Sequence, residues 1–350
     1  MEALYWLLAI LIFGFLIFIH EMGHYLTARA FGVTIREFSI GMGPKMVTYT
    51  SKKTNIKYSL GVFPFGGYVS MVGEDEESDD PNALSKKAAW KRAIIVSAGA
   101  VMNLLLGFVL SLTMVLGSPA LGSTVVSDFR ADKFYTDNNF TDKSSTVLQI
   151  GDEILKINGH RVHTADDLQY EIQHEGGTEI PVTVRRGGEV MTLSVRFPTK
   201  TSSGVVFGIP DFYVEPEAKN LGNVLKHSYY QARSTVKMVF DSFGDLIAGK
   251  YGFEAVSGPV GVADAISDAA ANNIWQLIYL VTVITVNLGI VNLFPFPALD
   301  GGRLVFILIE MIFRRPVPQK YEGIVHLVGI ILLMLLMVVV LFKDVFTLFS

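Results

Sequence analysis

Cysteine is absent from the 350 residues of this chain. Disulfide frameworks, thiol nucleophiles and sulfur-containing zinc sites are therefore excluded, and only His, Asp and Glu remain as protein ligands for such a metal. Basic residues are also not in excess, since 29 Lys and Arg stand against 33 Asp and Glu and the net charge is −4. A phosphate backbone attracts the opposite balance, so we expect no nucleic-acid partner.

Charge is scarce overall, because only 18% of the residues are charged whereas 50% are hydrophobic. Four uncharged apolar stretches are long enough, at about 1.5 Å per residue in a helix, to cross a hydrocarbon core of about 30 Å. They run from Ala3 to Ile19 and onward, from Ala93 to Leu116, from Ile274 to Leu299 and from Gly323 to Phe342. The first stretch lacks a positive n-region and a small-residue cleavage site, so we interpret it as a retained span. The predicted fold class is a polytopic α-helical membrane protein with four transmembrane helices.

The charges between the apolar stretches predict the orientation of the chain. Ten Lys and Arg lie between the first and second stretches, and four more lie between the third and fourth. The positive-inside rule places these loops in the cytoplasm. Both termini, and the central segment from about Gly117 to Asn273, are then extracytoplasmic.

The first apolar stretch runs directly into His20-Glu21-Met22-Gly23-His24. On a helix, the i, i+4 spacing stacks both imidazoles on one face within reach of one ion, which is the H-E-x-x-H pattern of zinc peptidases. Ionisable residues at membrane depth are expensive, so such a cluster indicates function. Glu21 is next to a ligand without being one, and it is suited to act as the acid/base in hydrolysis of a peptide bond.

A catalytic zinc site needs a third protein ligand, and Asp300 is the best candidate in the sequence. Pro295 and Pro297 break the third apolar stretch, and the glycines at 301 and 302 permit a tight turn that could aim the carboxylate inward. His326, early in the fourth stretch, remains a competing ligand.

Three asparagines lie within the apolar stretches, and the sequence suggests a role for Asn292 and Asn103. Asn292 precedes Asp300 by eight residues, and its amide could hold substrate or donate to a developing oxyanion. A hydrogen bond that only packs helices is the alternative. Asn103 lies near Gly99 and Gly107, a spacing of small residues that favours close helix approach over chemistry.

The loop between the first two spans contains a candidate β-element at about residues 55–73. Residues 61–73 mix Gly and Pro with aromatic and β-branched residues, as a short hairpin or re-entrant strand would. An unpaired strand edge there could bind an extended substrate by strand addition. A hairpin that only packs on the helices is the alternative.

The central segment predicts a small α+β domain at residues 120–210. A strand with an Asn158-Gly159 turn, a helix from Ala165 to Glu175, and a hairpin turning at Gly187-Gly188 follow one another. Residues 211–273 would contain an amphipathic helix from about Leu221 to Lys250, either lying on the outer leaflet or packing on this domain. Residues 1–116 and 274–350 would then form the two halves of the membrane-embedded core.

Taken together, these motifs resemble the site-2 protease family of intramembrane zinc metalloproteases, most closely its bacterial RseP/RasP-type members with one PDZ domain. The resemblance implies a Zn²⁺ cofactor with His20, His24 and Asp300 as ligands, Glu21 as the catalytic acid/base and Asn292 as a substrate-binding residue. The β-element resembles the family's at Gly66, Gly67 and Tyr68, which would also contact substrate. Residues 151–159, Gly-Asp-Glu-Ile-Leu-Lys-Ile-Asn-Gly, resemble the centre of a PDZ domain.

The same resemblance implies a multi-pass protein of the bacterial cytoplasmic membrane that cleaves single-span membrane proteins. Anti-sigma factors and remnant signal peptides are the substrates that it suggests, and the PDZ groove would bind a peptide. A non-proteolytic membrane scaffold that binds peptides through the PDZ domain is the alternative function. Zinc content and cleavage activity distinguish the two.

Overall fold

The computed structural model describes residues 2–74, 76, 78–202, 205–250, 252 and 256–349. The side chains of Phe63, Pro64 and Phe65 in the predicted β-element lie outside the described part. The helices are α1 (Glu2–Ala30), α2 (Ala89–Gly117), α3 (Asp132–Asn138), α4 (Ala165–Glu175), α5 (Leu221–Ile247), α6 (Pro259–Asn272), α7 (Ile274–Leu293), α8 (Asp300–Phe313) and α9 (Gln319–Phe349). The strands are β1 (Ile35–Thr50), β2 (Lys57–Met71), β3 (Leu121–Phe129), β4 (Glu153–Ile157), β5 (His160–Arg161), β6 (Ile180–Arg186), β7 (Glu189–Val195), β8 (Thr199–Ser202), β9 (Val205–Gly208) and β10 (Phe212–Glu217).

Four of the described helices are long and apolar enough to cross a bilayer, as the sequence predicts. Their candidate spans are Leu4–Ala30, Ala89–Gly117, Ile274–Leu293 and Lys320–Asp344. The chain divides into two compact units, of which the first contains Met1–Gly107 and Val256–Ser350 and the second contains Phe108–Ala255. Three of the four spans therefore belong wholly to the first unit.

The third span ends six residues earlier than the apolar run. α7 stops at Leu293 and Phe294 is extended, because a proline follows at 295 and another at 297. Asp300 then opens α8, so the two glycines after it lie inside a helix and do not form the predicted tight turn. A Cβ on either glycine would overlap the backbone that leaves α7. The glycines thus allow the start of α8 to pack directly on that backbone.

The β-element of the first unit is larger than the predicted range of 55–73, because β1 also contributes to it. Residues 35–40 pair with 67–71 on one side and with 57–60 on the other, and 57–61 pair in turn with 45–50. The two long strands bend and form four antiparallel segments. Residues 67–71 are an outermost segment, so one of their edges is not paired with another strand in the described part of the chain.

The first unit also contains a helix where the sequence analysis placed only a linker. α6 begins with Pro259 in its first turn, where a proline fits without losing a hydrogen bond. Its Ala263 and Ile266 form an apolar cluster with Ala9 of α1 and Leu277 of α7. α6 therefore belongs to the helical core of this unit.

The second unit is α+β, as predicted, with the strand order β10-β3-β4-β6-β7. α4 covers the sheet with Leu168 and Ile172, which belong to one buried apolar cluster with residues of β3, β4, β6 and β7. The turns lie at the predicted glycines, with positive φ at Asn158, Gly159, Gly187 and Gly188. The domain extends beyond the predicted limit at 210, because β10 pairs with β3.

α5 is the amphipathic helix of the second unit, and it packs on α4. Lys237 lies 3.1 Å from the buried carboxylate of Glu171, and the Tyr170 hydroxyl donates to Asp241 at 2.6 Å. His174 Nε2 lies 3.0 Å from Asp245 Oδ2. Of the two sequence-based alternatives, packing on the α+β domain is therefore present in the structure.

Candidate metal centre and catalytic cavity

α1 presents both histidines of the sequence motif to α2. His20 and His24 are one turn apart and buried, with only 8% and 7% of their surfaces exposed. Gly99 of α2 lies opposite them, where a Cβ would overlap His24 Nε2 and lie 2.8 Å from His20 Nε2. Gly23 of α1 is packed in the same way against the carbonyl of Ala98. The two glycines allow the helices to approach closely at the depth of the imidazoles.

The structure brings Asp300 to the two histidines. Asp300 Oδ2 lies 3.1 Å from His20 Nε2 and 3.2 Å from His24 Nε2, and the two nitrogens are 3.3 Å apart. Ligand atoms around a tetrahedral zinc, at about 2.0 Å from the metal, lie about 3.3 Å from one another. The three atoms therefore have the spacing of one face of such a tetrahedron.

The polar chemistry of this triangle also fits a cation. Asp300 Oδ2 is buried, yet it receives no hydrogen bond of acceptable geometry from any residue that the structure describes. Its two nearest neighbours are ring nitrogens, whose lone pairs can bind a metal when the imidazole is neutral. A divalent ion would bind all three atoms at once. Among the residues that the structure describes, His20, His24 and Asp300 form a group whose ligand atoms are close enough together to hold one metal ion.

His326, the alternative metal ligand suggested by the sequence, is not part of the triad of His20, His24 and Asp300. Its Nδ1 accepts a hydrogen bond from the backbone N–H of Ala298 at 3.0 Å. Ala298 has a φ of +81°, a conformation that costs energy for a residue with a Cβ. The imidazole thus stabilises the strained backbone two residues before Asp300.

A cavity of about 200 Å³ lies beside the triad. Glu21 lines it together with the three candidate ligands, and the remaining lining residues come from β2, the turn after β2, α2 and the region of Asp300. They are Tyr68, Val69, Met71, Glu74, Val96, Ala298, Leu299 and Arg303. The outermost segment of the β-element therefore forms one wall of the cavity that contains the H-E-x-x-H residues.

The glycines of the β-element position this wall. Gly67 lies against α1, where a Cβ would be 3.1 Å from Glu21 Cγ and 3.2 Å from Ile17 Cγ2. Gly66 has a φ of +81° and packs against Met42, so its role is in the shape of the hairpin. Of the three predicted substrate-contact residues of the β-element, Tyr68 lines the cavity directly.

Asn292 is not brought into the described lining of the cavity. Its Nδ2 donates to the carbonyl of Leu288, one turn earlier in α7, at 3.0 Å. The hydrogen bond within the helix, which the sequence left open as an alternative, is the contact seen here. Substrate binding by Asn292 remains a prediction.

Sequence reasoning did not find a charged pair beside the triad. Arg303 of α8 donates to the carboxylate of Glu74, and both residues line the cavity beside the triad. With Val96 they also line a second cavity of about 710 Å³. The signal in the sequence was the position of each charge, one directly after the β-element and the other directly after Asp-Gly-Gly.

Comparison with known proteins identifies the family of this chain. A family model described as peptidase family M50 matches residues 8–336. A Clostridium perfringens protein, named as a candidate zinc metalloprotease, is 34% identical over 343 residues that cover 98% of each chain. The zinc metalloprotease RasP of Geobacillus kaustophilus is 29% identical over 420 residues, with 96% of each chain covered. The regulator of sigma-W protease RasP of Bacillus subtilis is 28% identical over 431 residues, which cover 97% of this chain and 98% of the relative.

These matches extend over nearly the whole chain and include both halves of the candidate site. They confirm the zinc cofactor and the peptidase class that the sequence motifs predict. The four apolar helices and the family together identify a multi-pass membrane protein. The chain belongs to peptidase family M50, the zinc metalloproteases of the site-2 type.

Proposed function

We propose that this protein is an intramembrane zinc endopeptidase that hydrolyses peptide bonds in or near the membrane-spanning segment of single-span proteins. The observation that carries the proposal is the triangle of His20, His24 and Asp300 beside Glu21. In the proposed mechanism His20, His24 and Asp300 hold the zinc. When bound, zinc supplies Lewis acidity that polarises a peptide carbonyl and makes water a better nucleophile.

Glu21 performs the proton transfers in this mechanism. It lies on the same helix as the two histidines and lines the same cavity, so its carboxylate can take a proton from the attacking water and return it to the leaving amine. Val69 and Met71 of β2 and Val96 of α2 give the cavity an apolar side, and low-dielectric surroundings strengthen electrostatic interactions with the reacting atoms.

Substrate binds, in our proposal, as an added strand. A helical substrate buries its carbonyls in its own hydrogen bonds and must be unwound before one can react. The outermost segment of the β-element, residues 67–71, borders the cavity, and its outer edge is not paired with another strand in the described part of the chain. The N–H of Met71 on this edge donates to Glu74 Oε2 at 3.2 Å, so an added strand would have to displace that contact. Asn292 would contact substrate through its Oδ1 or its second N–H while the first N–H donates to the carbonyl of Leu288.

The second unit is proposed to be a PDZ-like domain that binds a peptide. Residues 151–159, which carry the sequence resemblance, form the turn before β4, β4 itself and the turn to β5. β10 is at the edge of the sheet and contains Pro216, a residue tolerated on edge strands. An extended peptide could therefore pair with this edge.

Anti-sigma factors and remnant signal peptides are the substrates we propose. The name of the Bacillus subtilis relative, regulator of sigma-W protease, supports the first class. Both classes present one apolar helix, which suits a cavity bordered by membrane helices. We further propose that the protein lies in the bacterial cytoplasmic membrane, with the PDZ-like domain and both termini outside.

Glu21→Gln tests the proposed chemistry. The amide keeps the size of the side chain but cannot accept a proton, so cleavage of a single-span substrate should fall roughly 10²- to 10⁴-fold while zinc remains bound. Asp300→Ala should instead reduce the zinc content of the purified protein. Undiminished cleavage by Glu21→Gln would refute the acid/base role. Wild-type protein that binds no zinc and cleaves nothing would favour the scaffold alternative.

A further inference from the structure

Asn103 is a fully buried amide in the apolar helix α2, and it touches the metal centre. Its Nδ2 lies 3.4 Å from His20 Nδ1, on the side of the ring that faces away from Asp300. Its Oδ1 is buried without a hydrogen-bond partner among the described residues. Burying an unpaired amide oxygen costs about 1–3 kcal/mol. Helix packing, the role that the sequence favoured, does not account for the orientation of this side chain toward the imidazole.

The two candidate histidine ligands need hydrogen-bond acceptors at Nδ1. An imidazole that binds a metal through Nε2 carries its hydrogen on Nδ1, and a partner for that hydrogen fixes the tautomer and the ring plane. His24 has such a partner, because its Nδ1 lies 2.8 Å from the carbonyl of Ile95. The polar side-chain atoms of Asn103 are in the corresponding place beside His20.

A half-turn of the amide makes Asn103 Oδ1 and the Nδ1–H of His20 partners of each other, and it moves Nδ2 to the buried place that Oδ1 leaves. The oxygen and nitrogen of an asparagine amide occupy nearly the same volume, and the hydrogen-bond network decides which one faces a neighbour. With Oδ1 toward His20, the oxygen gains a donor and the Nδ1–H gains an acceptor. The exchange requires no movement of α2.

We propose that Asn103 is a positioning residue that accepts the Nδ1–H of His20 and so directs Nε2 of that ring to zinc. The inference rests on the proposed function only in taking His20 as a zinc ligand. Loss of such an outer hydrogen bond typically weakens metal binding about 10- to 100-fold. Removal of the Asn103 acceptor should therefore weaken zinc binding by this factor without unfolding the protein.

The test compares Asn103→Leu with Asn103→Asp in the full chain, purified in detergent. Leucine has a similar volume and no acceptor, whereas aspartate keeps an acceptor at the same place. Competition with a zinc chelator should give about 10- to 100-fold weaker binding for Asn103→Leu, and binding at least as tight as wild type for Asn103→Asp. Asn103→Ala, which only removes atoms, provides the same comparison if the leucine variant does not fold.

A matched control separates positioning from helix packing. Thr285 of α7 is buried and donates from its hydroxyl to the backbone carbonyl of Asn103 at 3.3 Å. Thr285→Val disturbs the packing of this helix pair without removing the side-chain acceptor, so zinc affinity should stay at the wild-type value. In the metal-free state, Asn103→Leu and wild type should unfold at similar temperatures.

A spectroscopic readout tests the hydrogen bond itself. The ¹⁵N resonances of His20 in the zinc-loaded protein should report a protonated Nδ1 in wild type and a changed Nδ1 environment in Asn103→Leu. Equal zinc affinity of Asn103→Leu and wild type would overturn the inference, as would an equal loss in Thr285→Val. Either result leaves zinc binding by the wild type intact, so it is distinguishable from failure of the proposed function.

Discussion

Gly99 is a position at which a single added methyl group would contact two of the candidate metal ligands. A Cβ there would overlap His24 Nε2 and crowd His20 Nε2 at 2.8 Å, so Gly99→Ala must displace two candidate ligand atoms. We expect zinc affinity to fall about tenfold or more, as for other changes beside the ligands. Zinc content after dialysis against a weak chelator measures the effect.

Gly323→Ala is the matched control for this prediction. Gly323 lies in α9 of the same unit, and nothing lies within 4 Å of a Cβ built there. Alanine should be tolerated at this position and even favoured in a helix by roughly 1 kcal/mol. If Gly99→Ala retained full zinc content, that result would contradict the short distance between α2 and the two imidazoles.

The candidate ligands were predictable from the sequence because each has a local signal. His20 and His24 share a helix, so their spacing alone fixes their common face. Asp300 was found through the prolines that interrupt its apolar segment. Asn103 carries no such signal, because its contact joins residues 83 positions apart and depends on how two helices pack. Tertiary contacts of this kind are invisible to periodicity.

Among the elements, β2 packs through Gly67 against α1, the helix that contains the H-E-x-x-H residues. A Cβ at this position would lie only 3.1 Å from Glu21 Cγ and 3.2 Å from Ile17 Cγ2, so the two methyl groups of a branched side chain would have no room against α1. Gly67→Val should therefore push residues 67–71 away from α1 and lower kcat/KM for a membrane substrate. Zinc content should not change, because the three candidate ligands lie on α1 and α8.

Thr48→Val is the control for the β-element. Thr48 is exposed on the segment 45–50, at the opposite side of the same sheet. The substitution adds a similar branched side chain far from the cavity and should leave kcat/KM unchanged. Equal activity of Gly67→Val and wild type would argue against binding of substrate along residues 67–71.

The second unit contains a buried ion pair that should make its stability pH-dependent. Asp152 is fully buried, and Arg186 donates to its two oxygens at 2.7 and 2.8 Å. Burial by itself would raise the pKa of Asp152, but the hydrogen bonds from Arg186 and from the backbone N–H of Gln149, together with the charge of Arg186, outweigh it and hold the pKa below the ordinary 3.8. A lowered folded-state pKa stabilises the fold above the unfolded value, and this contribution disappears as the pH falls through the folded-state pKa.

Arg186→Met should therefore destabilise the second unit by about 3–5 kcal/mol at neutral pH, because it leaves Asp152 charged and buried. Limited proteolysis of the full-length protein at pH 7 measures the loss. The double variant Asp152→Asn with Arg186→Met should be more resistant to protease than Arg186→Met alone. Similar sensitivity of the two variants would show that the unpaired charge is not the cause.

The elements were predictable where a short-range pattern specifies them. The helix at Ala165–Glu175 was predicted with its observed bounds, because Thr164 caps its start and Gly176 follows its end. β10 was not predicted as part of the domain, since its pairing with β3 joins residues more than 80 positions apart. β1 was missed for a related reason, as its glycines and bulges interrupt the alternation that marks a strand.

At the scale of the whole molecule, the number of spans followed from composition alone. A bilayer requires about 20 apolar residues per helix, so four such runs predict four spans regardless of how they pack. The division into an inserted domain and a two-part core was also predicted, but the limits of the two units were not. α6 lies before the third span in sequence, yet it packs with α1 and α7, because buried apolar area and not chain order decides which elements form a core.

The proposed orientation can be tested cleanly because the chain has no cysteine. Thr54 is exposed in the turn between β1 and β2, and Glu189 is exposed at the start of β7 in the second unit. If the positive-inside rule sets the orientation, a membrane-impermeant maleimide added to intact cells should label Glu189→Cys and not Thr54→Cys. Permeabilised cells should show labelling of both variants, and the cysteine-free chain should show none. Labelling of Thr54→Cys in intact cells would place the β-element outside, and the basic loops would then not determine how this protein inserts.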